Sequence, residues 1–182
     1  MQKRLIVNHQ LLEIMVKRLC HQLIESHGDF SNSVILGLQP RGIYVAERVQ
    51  NTLATIIGKS VPTGFLDTTF HRDDFRRRET PLTANATSID FVIEDKNVIL
   101  VDDVLYTGRS VRAAMDAMIA YGRPAKVELL VLIDRLYTRH LPIEPTYVGR
   151  RVNSLQSQRV LVEWQDHEKA EDSIWLINKS EE

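Results

Sequence analysis

The sequence predicts an α/β fold, with a central parallel sheet flanked by helices. Two short apolar stretches, Ser33–Leu38 and Val98–Val101, have the character of buried strands. Each is followed by an amphipathic segment with helical spacing, Arg41–Ile57 after the first and Ser110–Tyr121 after the second. A third apolar stretch, Val127–Ile133, continues the alternation. Strands that are apolar along their whole length and alternate with helices are typical of right-handed parallel sheets.

The first part of the chain is predicted to form a helix, a strand and a second helix. The first helix spans His9–His27, with Asn8 as its N-cap. Its apolar residues recur at helical spacing: Leu11, Leu12, Met15, Val16, Leu19, Cys20 and Leu23. Gly58 suits the end of the second helix, and Val61–Thr69 is predicted to be a strand.

The remaining segments are predicted to be a long loop, a helix and several short strands. The stretch Phe70–Ser88 is polar and lacks periodicity, and loops of that length are usually functional or disordered. The helix after Val98–Val101 is ended by Gly122 and Pro124. Its inward residues are predicted to be Val111, Ala114, Met115, Met118 and Ile119. Three short strands are predicted to form a small C-terminal element: Tyr147–Gly149, Arg159–Glu163 and Ser173–Ile177.

Composition narrows the class of protein. The 182 residues suit one domain over 1–182, and the formal net charge of -1 argues against a protein devoted to nucleic-acid binding. The single cysteine, Cys20, lies in an apolar helical pattern, so its side chain is predicted to be buried. A single cysteine also indicates that the protein belongs to a reducing compartment. No apolar run approaches the roughly 20 residues of a membrane span, and we find no signal peptide. We therefore expect a cytoplasmic protein without a membrane partner.

The stretch Val98–Arg112, VILVDDVLYTGRSVR, contains the main candidate residues for binding a ligand. Ligands of open α/β sheets bind beyond the carboxyl ends of strands, where Asp102 and Asp103 can accept hydrogen bonds from vicinal ribose hydroxyls. The donor-rich segment Thr107–Ser110 opens a helix, and backbone N–H groups at a helix N-terminus bind phosphate. Gly108 allows close approach of the backbone. The stretch thus predicts a pocket for a 5′-phosphorylated ribose; the alternative is an exposed polar turn between a core strand and a core helix.

Other phosphate-binding motifs are excluded. The chain contains no GxGxxG sequence. Gly37 and Gly42 have the glycine spacing of a Walker A loop, but Ile43 and Tyr44 stand where that loop needs Lys and Ser or Thr. A nucleoside triphosphatase is therefore disfavoured.

VILVDDVLYTGRSVR resembles the signature of the type I phosphoribosyltransferases. The resemblance implies their fold, a central parallel sheet with a small hood and a C-terminal strand element. It implies that Asp102 and Asp103 hold the ribose hydroxyls and that Mg²⁺ travels with the diphosphate, near these acids. It also implies a loop that binds the 5′-phosphate, with Val104 and Leu105 leading into it: Tyr106, Thr107, Gly108, Arg109 and Ser110.

Two further segments match loops of that family. Pro40, Arg41 and Gly42 stand where the family has its diphosphate loop, although they also suit a plain helix start with Pro near its first turn. The family closes a mobile loop, here within 70–88, over the site. In FHRDDFRRR we assign Arg72 a catalytic contact with the diphosphate, with Asp73 and Asp74 positioning Arg72 or Mg²⁺. For Arg76–Arg78, a role in the site and a solvated run of charges are equally good interpretations.

The base is predicted from Tyr106. Hypoxanthine-type enzymes carry an acid at this place, and its absence argues against a purine. The motif, with FHRDD before it and LIDR and LPIEPTYVGRRV after it, resembles the bifunctional pyrimidine operon regulators and uracil phosphoribosyltransferases, the PyrR family. That resemblance implies that uracil is converted to UMP under a hood at about 134–152. It also implies that Asp134, Arg135 and the segment Leu141–Val152 form this hood, and that their backbone carbonyl and N–H groups contact the edge of uracil.

The same resemblance implies binding of pyrimidine-operon leader RNA and control of transcription by attenuation. The candidate contacts are Lys17, Arg18 and His21 on the first helix, with Arg150 and its neighbour Arg151. A solvated helix face explains the three helix residues equally well. The family also suggests a homodimer or higher oligomer. Two alternatives stay open: a UMP-sensing RNA-binding regulator with little catalysis, and a hypoxanthine/guanine-type phosphoribosyltransferase.

Overall fold

A computed structural model describes residues 3–73, 84–165 and 171–178 of the chain. The α-helices are α1 (His9–His27), α2 (Gly42–Ile57) and α3 (Arg109–Met118). The strands are β1 (Lys3–Val7), β2 (Ser33–Leu38), β3 (Thr63–Leu66), β4 (Asn97–Leu105), β5 (Lys126–Leu136), β6 (Tyr147–Asn153), β7 (Gln158–Glu163) and β8 (Ser173–Asn178). None of the helices within these ranges combines the length and the apolar character that crossing a membrane requires.

The main sheet is parallel, with the strand order β3-β2-β4-β5-β6, which confirms the predicted α/β fold. Strand β4 is central: Leu100 lies opposite Leu36 of β2 and Leu129 of β5. All three side chains are buried, because helices cover both faces of the sheet. The carboxyl ends of β2, β4 and β5 therefore meet at one edge, where the sequence motifs are located.

A second sheet is antiparallel, with the order β1-β8-β7. Strands β7 and β8 confirm two of the predicted C-terminal strands. Strand β1 was not predicted, because it is an edge strand in which only Val7 is buried, so it shows no alternation of polar and apolar residues. It is held at Lys3, whose Nζ lies 3.0 Å from Glu163 Oε1 and 4.2 Å from the centre of the Trp175 ring.

The first two helices follow their predictions closely. Helix α1 has the predicted bounds, and its N-cap Asn8 accepts a hydrogen bond of 2.9 Å from the backbone N–H of Leu11. The side chain of Leu11 itself is 41% exposed, so it lies outside the buried stripe of α1. Helix α2 begins at Gly42, with Arg41 as its N-cap, and ends at Gly58, which adopts a left-handed φ of 75°.

Several predicted bounds are wrong. Strand β3 ends at Leu66, and Thr69 belongs to a 3₁₀ turn. Helix α3 gives way to a 3₁₀ turn at Ile119, which changes the angular spacing and leaves Ile119 73% exposed, not inward. Met115 lies within α3 but outside its buried stripe, and it is 38% exposed. Strand β6 extends the predicted Tyr147–Gly149 and joins the main parallel sheet beside β5, so it is no part of the small C-terminal element.

A polar cluster is buried at the amino ends of β2, β5 and β6, opposite the edge that carries the motifs. The side chain of His27 is 3% exposed, and its Nδ1 lies 2.9 Å from Ser33 Oγ. Its Nε2 lies 3.0 Å from Glu128 Oε2 and 3.1 Å from the Tyr147 hydroxyl. Burial lowers the pKa of His27, and the charge of Glu128 opposes that shift. The cluster ties the end of α1 to three strands.

Candidate active site

The acidic pair lies within β4. The prediction that this strand ends at Val101 is wrong, since β4 pairs with β5 as far as Leu105, which lies opposite Asp134. The backbone N–H of Asp103 donates to Asp102 Oδ1 at 2.9 Å, and the two carboxyl groups interact at the edge of the sheet. Burial raises the pKa of the Asp102 carboxyl well above its ordinary value, and the neighbouring Asp103 charge adds to the shift.

Arg41 reaches across from the start of α2 to this pair. Its Nε donates to Asp103 Oδ2 at 2.6 Å, and its Nη2 donates to the carbonyl oxygen of Val162 at 2.5 Å. The Asp103 side chain is 9% exposed, whereas that of Arg41 is 44% exposed. The structure therefore joins the segment 40–42 and the acidic pair, with part of the Arg41 guanidinium open to solvent.

Gly42 explains how the start of α2 comes so close to β4. A Cβ atom at this position would lie 2.3 Å from the carbonyl oxygen of Val101 and 3.1 Å from the Cα atom of Asp102. Both are backbone atoms, so only glycine fits without displacing one of the two elements. Pro40, which follows a cis peptide bond after Gln39, lies exposed just before this contact.

The segment Tyr106–Ser110 turns the end of β4 into α3. Gly108 adopts a left-handed φ of 90° and is the N-cap of the helix that begins at Arg109. Val104 precedes this segment half-buried, and Leu105 is buried in the core. The loop therefore presents the backbone N–H groups of a helix N-terminus at the same edge as the acids.

The first residues of the predicted long loop, up to Asp73, reach the same edge of the sheet. Arg72 Nη1 donates to the hydroxyl of Ser110 at 3.3 Å, and Asp73 forms an ion pair with Arg109. These contacts bring the FHRDD segment beside the predicted phosphate-binding loop. The other residues predicted to act here, Asp74 and Arg76–Arg78, lie outside the described residues.

The predicted hood residues lie in the main sheet. Arg135, in β5, is 3% exposed; its guanidinium carbon lies 4.1 Å from the centre of the Tyr106 ring, and its Nε donates to Ser154 Oγ at 2.8 Å. Burial lowers its pKa. Asp134 is also buried and pairs with Arg139, and Val152 lies in the core within β6. Of the predicted hood 134–152, only 137–146 lies between the two strands.

The residues proposed for RNA contact lie on α1 and β6. Lys17, Arg18 and His21 are exposed on α1. Arg18 Nη2 donates to the carbonyl oxygen of Gly149 at 2.6 Å, so Arg18 lies next to Arg150, the residue that follows Gly149. Arg150 Nη1 in turn donates to the carbonyl oxygen of Ile6 at 2.7 Å. The exposed face of α1 and the basic part of β6 are thus adjacent.

Sequence reasoning missed the residues that hold the loop Tyr106–Ser110, which is predicted to bind phosphate. Thr138 and Arg139 both donate side-chain hydrogen bonds to the carbonyl oxygen of Tyr106, and the backbone N–H of His140 donates to the carbonyl oxygen of Thr107 at 3.0 Å. These residues follow β5 in an irregular segment. Nothing in their spacing signals the contact, although polar residues directly after a buried strand are a hint.

Comparison with known proteins agrees with this geometry. Residues 4–167 match the phosphoribosyl transferase domain family. The chain is 44% identical to the bifunctional protein PyrR of Desulfosudis oleivorans over 163 residues, 89% of this chain and 90% of the relative. It is 43% identical to the bifunctional protein PyrR of Listeria monocytogenes over the full length of both chains. Among solved structures, a hypoxanthine-guanine phosphoribosyltransferase from Bacillus anthracis superposes with a TM-score of 0.69 at 17% identity, covering 94% of this chain and 96% of that one, which is a likeness of fold alone.

Proposed function

This chain belongs to the phosphoribosyl transferase domain family and, within it, to the family of bifunctional PyrR proteins, and on that premise we propose that it makes UMP and diphosphate from uracil and phosphoribosyl diphosphate (PRPP). The observation that carries the proposal is the convergence of the acidic pair, Arg41 and the Tyr106–Ser110 loop at one edge of the sheet. An acid pair, a cation and a phosphate cradle are the three groups that a phosphorylated ribose with a diphosphate needs.

Each part of PRPP is assigned to a different group of residues at this edge of the sheet. The backbone N–H groups and hydroxyls of Thr107–Ser110 take the 5′-phosphate at the N-terminus of α3. Asp102 and Asp103 accept hydrogen bonds from the ribose hydroxyls. Arg41, through the exposed part of its guanidinium, and Arg72, which already lies against Ser110, supply positive charge for the diphosphate.

The reaction is a displacement at the anomeric carbon. A bond forms between a ring nitrogen of uracil and this carbon, the bond to the diphosphate oxygen breaks with its electron pair leaving on diphosphate, and the ring nitrogen loses its proton. The chain contributes by orienting both substrates and stabilising the charge on the leaving group. Closure of the loop that carries Arg72 would exclude water, which competes with uracil for the anomeric carbon.

Magnesium fits the donor set of this site. Among the described residues no group of three or more metal-ligating side chains occurs, so a cage built by protein alone is not supported there. Mg²⁺ is commonly held by one or two carboxylates and completed by substrate phosphates. Asp102 and Asp103 are the carboxylates that would hold it next to PRPP, and its charge would stabilise the departing diphosphate.

The assignment of uracil as the base rests on the residue at position 106, Tyr106. The Tyr106 ring rests on the Arg135 guanidinium, so this position carries an aromatic ring on a fixed cation and no carboxylate to bind the imidazole part of a purine. The purine phosphoribosyltransferase that superposes on this chain has a low sequence identity to it, so this likeness concerns the fold and not the base. The base itself would meet backbone groups at the carboxyl edge, because the side chains of Asp134 and Arg135 are buried.

A radiolabelled assay tests this proposal. Uracil is incubated with PRPP and Mg²⁺, and the products are separated by chromatography. We expect labelled UMP, and none from a chain that carries Asp102→Asn together with Asp103→Asn. The opposite result, no UMP but nucleotide from labelled hypoxanthine or guanine, would assign the chain to the purine enzymes.

A second function, binding of pyrimidine-operon leader RNA with control of transcription by attenuation, is favoured by the adjacency of α1 and β6. The hydrogen bond from Arg18 to Gly149 draws two basic segments, distant in sequence, onto one face. We propose that a dimer sets two such faces side by side as a surface for RNA phosphates, in the cytoplasm where this RNA and the substrates occur. A gel shift on the leader RNA tests this: UMP is expected to strengthen binding, and Lys17→Gln to weaken it. If UMP leaves RNA binding unchanged, the sensing role fails.

A further inference from the structure

One short segment after β5 holds two consecutive carbonyl groups of the phosphate loop. In this clamp segment, Thr138–His140, the hydroxyl of Thr138 shares its proton between the carbonyl oxygens of Tyr106 at 3.2 Å and Arg135 at 3.0 Å. The Tyr106 carbonyl oxygen also accepts from the guanidinium of Arg139. The N–H of His140 donates to the carbonyl oxygen of Thr107 at 3.0 Å. Three donors from consecutive residues thus converge on two consecutive peptide groups.

The geometry of the peptide bond turns these contacts into an orientation of the loop. In a trans peptide the N–H points opposite to the C=O. Because the carbonyls of Tyr106 and Thr107 face the clamp segment, the N–H groups of Thr107 and Gly108 face away from it. Within the described part of the chain, neither N–H donates a hydrogen bond. They are therefore available to a phosphate at the N-terminus of α3.

Arg139 is itself held in place. Its guanidinium bridges from the Tyr106 carbonyl to the carboxylate of Asp134, whose side chain is 5% exposed at the end of β5. The other parts of the loop are also supported: Arg135 lies under the Tyr106 ring, and a Cβ at Gly108 would lie only 3.2 Å from Ile143 Cδ1. The clamp segment is thus anchored to the sheet, and it transfers that rigidity to the loop.

We infer that Arg139, with Thr138, is a positioning residue for the 5′-phosphate: it touches no reacting atom but fixes the peptide groups whose N–H donors bind that phosphate. This inference rests on the proposed function of the same site. It goes beyond that proposal in assigning part of the phosphate affinity to side chains that lie behind the loop. A charge-assisted hydrogen bond that holds a donor in place is worth enough to change affinity by about tenfold, roughly 1.4 kcal/mol.

The experiment compares UMP with uridine, which differ only in the 5′-phosphate. Dissociation constants of both ligands are measured by calorimetry for the full-length chain and for Arg139→Met. We expect the variant to lose about tenfold in affinity for UMP and less than about twofold for uridine. Arg159→Met is the matched control, because Arg159 is an exposed arginine on β7, in the other sheet. It should leave both constants unchanged.

A second variant guards against a folding defect. Thr138→Val keeps the shape of the side chain and removes the hydroxyl, whose proton the carbonyl oxygens of Tyr106 and Arg135 share, so it should weaken UMP binding by about threefold in the same selective manner. Equal losses for UMP and uridine in either variant would mean a general structural role and overturn the inference. So would unchanged UMP affinity. If the unmodified chain binds UMP no better than uridine, the proposed phosphate site itself fails, and the inference with it.

Discussion

Replacing Gly42 by alanine tests how the two halves of the site are held together. The added Cβ would lie 2.3 Å from the Val101 carbonyl oxygen, and Cβ atoms essentially never approach closer than 3.0 Å, so α2 and β4 must separate by at least 0.7 Å. Overpacking of this kind costs about 1–3 kcal/mol, which for a domain of this size lowers the melting temperature by about 2–12 °C. Because the displacement occurs between Arg41 and the acidic pair, Gly42→Ala should lower the rate of UMP formation by more than the loss of folding stability explains. A misplacement near 1 Å costs up to about 100-fold in rate.

The assay is the formation of labelled UMP at varied PRPP concentration, beside thermal unfolding. For Gly42→Ala we expect kcat/KM for PRPP to fall by about 10- to 100-fold. Gly58→Ala is the matched control at the other end of α2. Its Cβ meets nothing within 4 Å, but the φ of 75° makes alanine unfavourable by about 1–2 kcal/mol. The two variants should therefore lose similar stability, while only Gly42→Ala loses activity. Wild-type kcat/KM in Gly42→Ala, or equal losses of activity in both variants, would refute this reasoning.

Three further outcomes are expected. Asp102→Asn combined with Asp103→Asn should abolish PRPP binding in calorimetry while the chain stays folded by circular dichroism; retained affinity would refute the site. Burial lowers the pKa of His27 below its ordinary value of 6.5, so the unfolded chain binds more protons and stability falls as the pH drops below about 6.5. His27→Gln should flatten the decline in melting temperature between about pH 7 and 5.5, and an unchanged decline would refute this role. Burial raises the pKa of Cys20 to about 12, so a thiol reagent at about pH 8 should label it only in denaturant; rapid labelling of the folded chain would contradict its burial.

Local signals made much of the fold predictable. Helix α1 has the predicted bounds because Asn8 caps it and its apolar residues repeat at helical spacing. The position of the site could also be predicted, because carboxyl ends of adjacent parallel strands converge. Arg41 and Asp103 are 62 positions apart in sequence, yet the order of strand, loop and helix in each segment was enough to expect them at one edge.

What could not be predicted depends on contacts that have no periodic signal. Strand β1 is an exposed edge whose partner β8 lies at the other end of the chain, so neither segment indicates the pairing alone. Arg135 was predicted to lie at the base site, but nothing in the sequence indicated that its guanidinium contacts Tyr106 and Ser154. The position of Arg139 follows from the path of an irregular segment, which local sequence does not determine.

The sheet edge that carries Val98–Arg112 is proposed to bind a pyrimidine nucleotide, and thermal unfolding with UMP and GMP tests this binding most directly. A ligand that binds only the folded chain stabilises it by about 2.7 kcal/mol at 100 times its dissociation constant, or about 5–10 °C in melting temperature for a domain of this size. We predict such a rise with UMP and none with GMP. A rise with GMP and none with UMP would contradict the assignment of uracil, and no rise with either would contradict the nucleotide site.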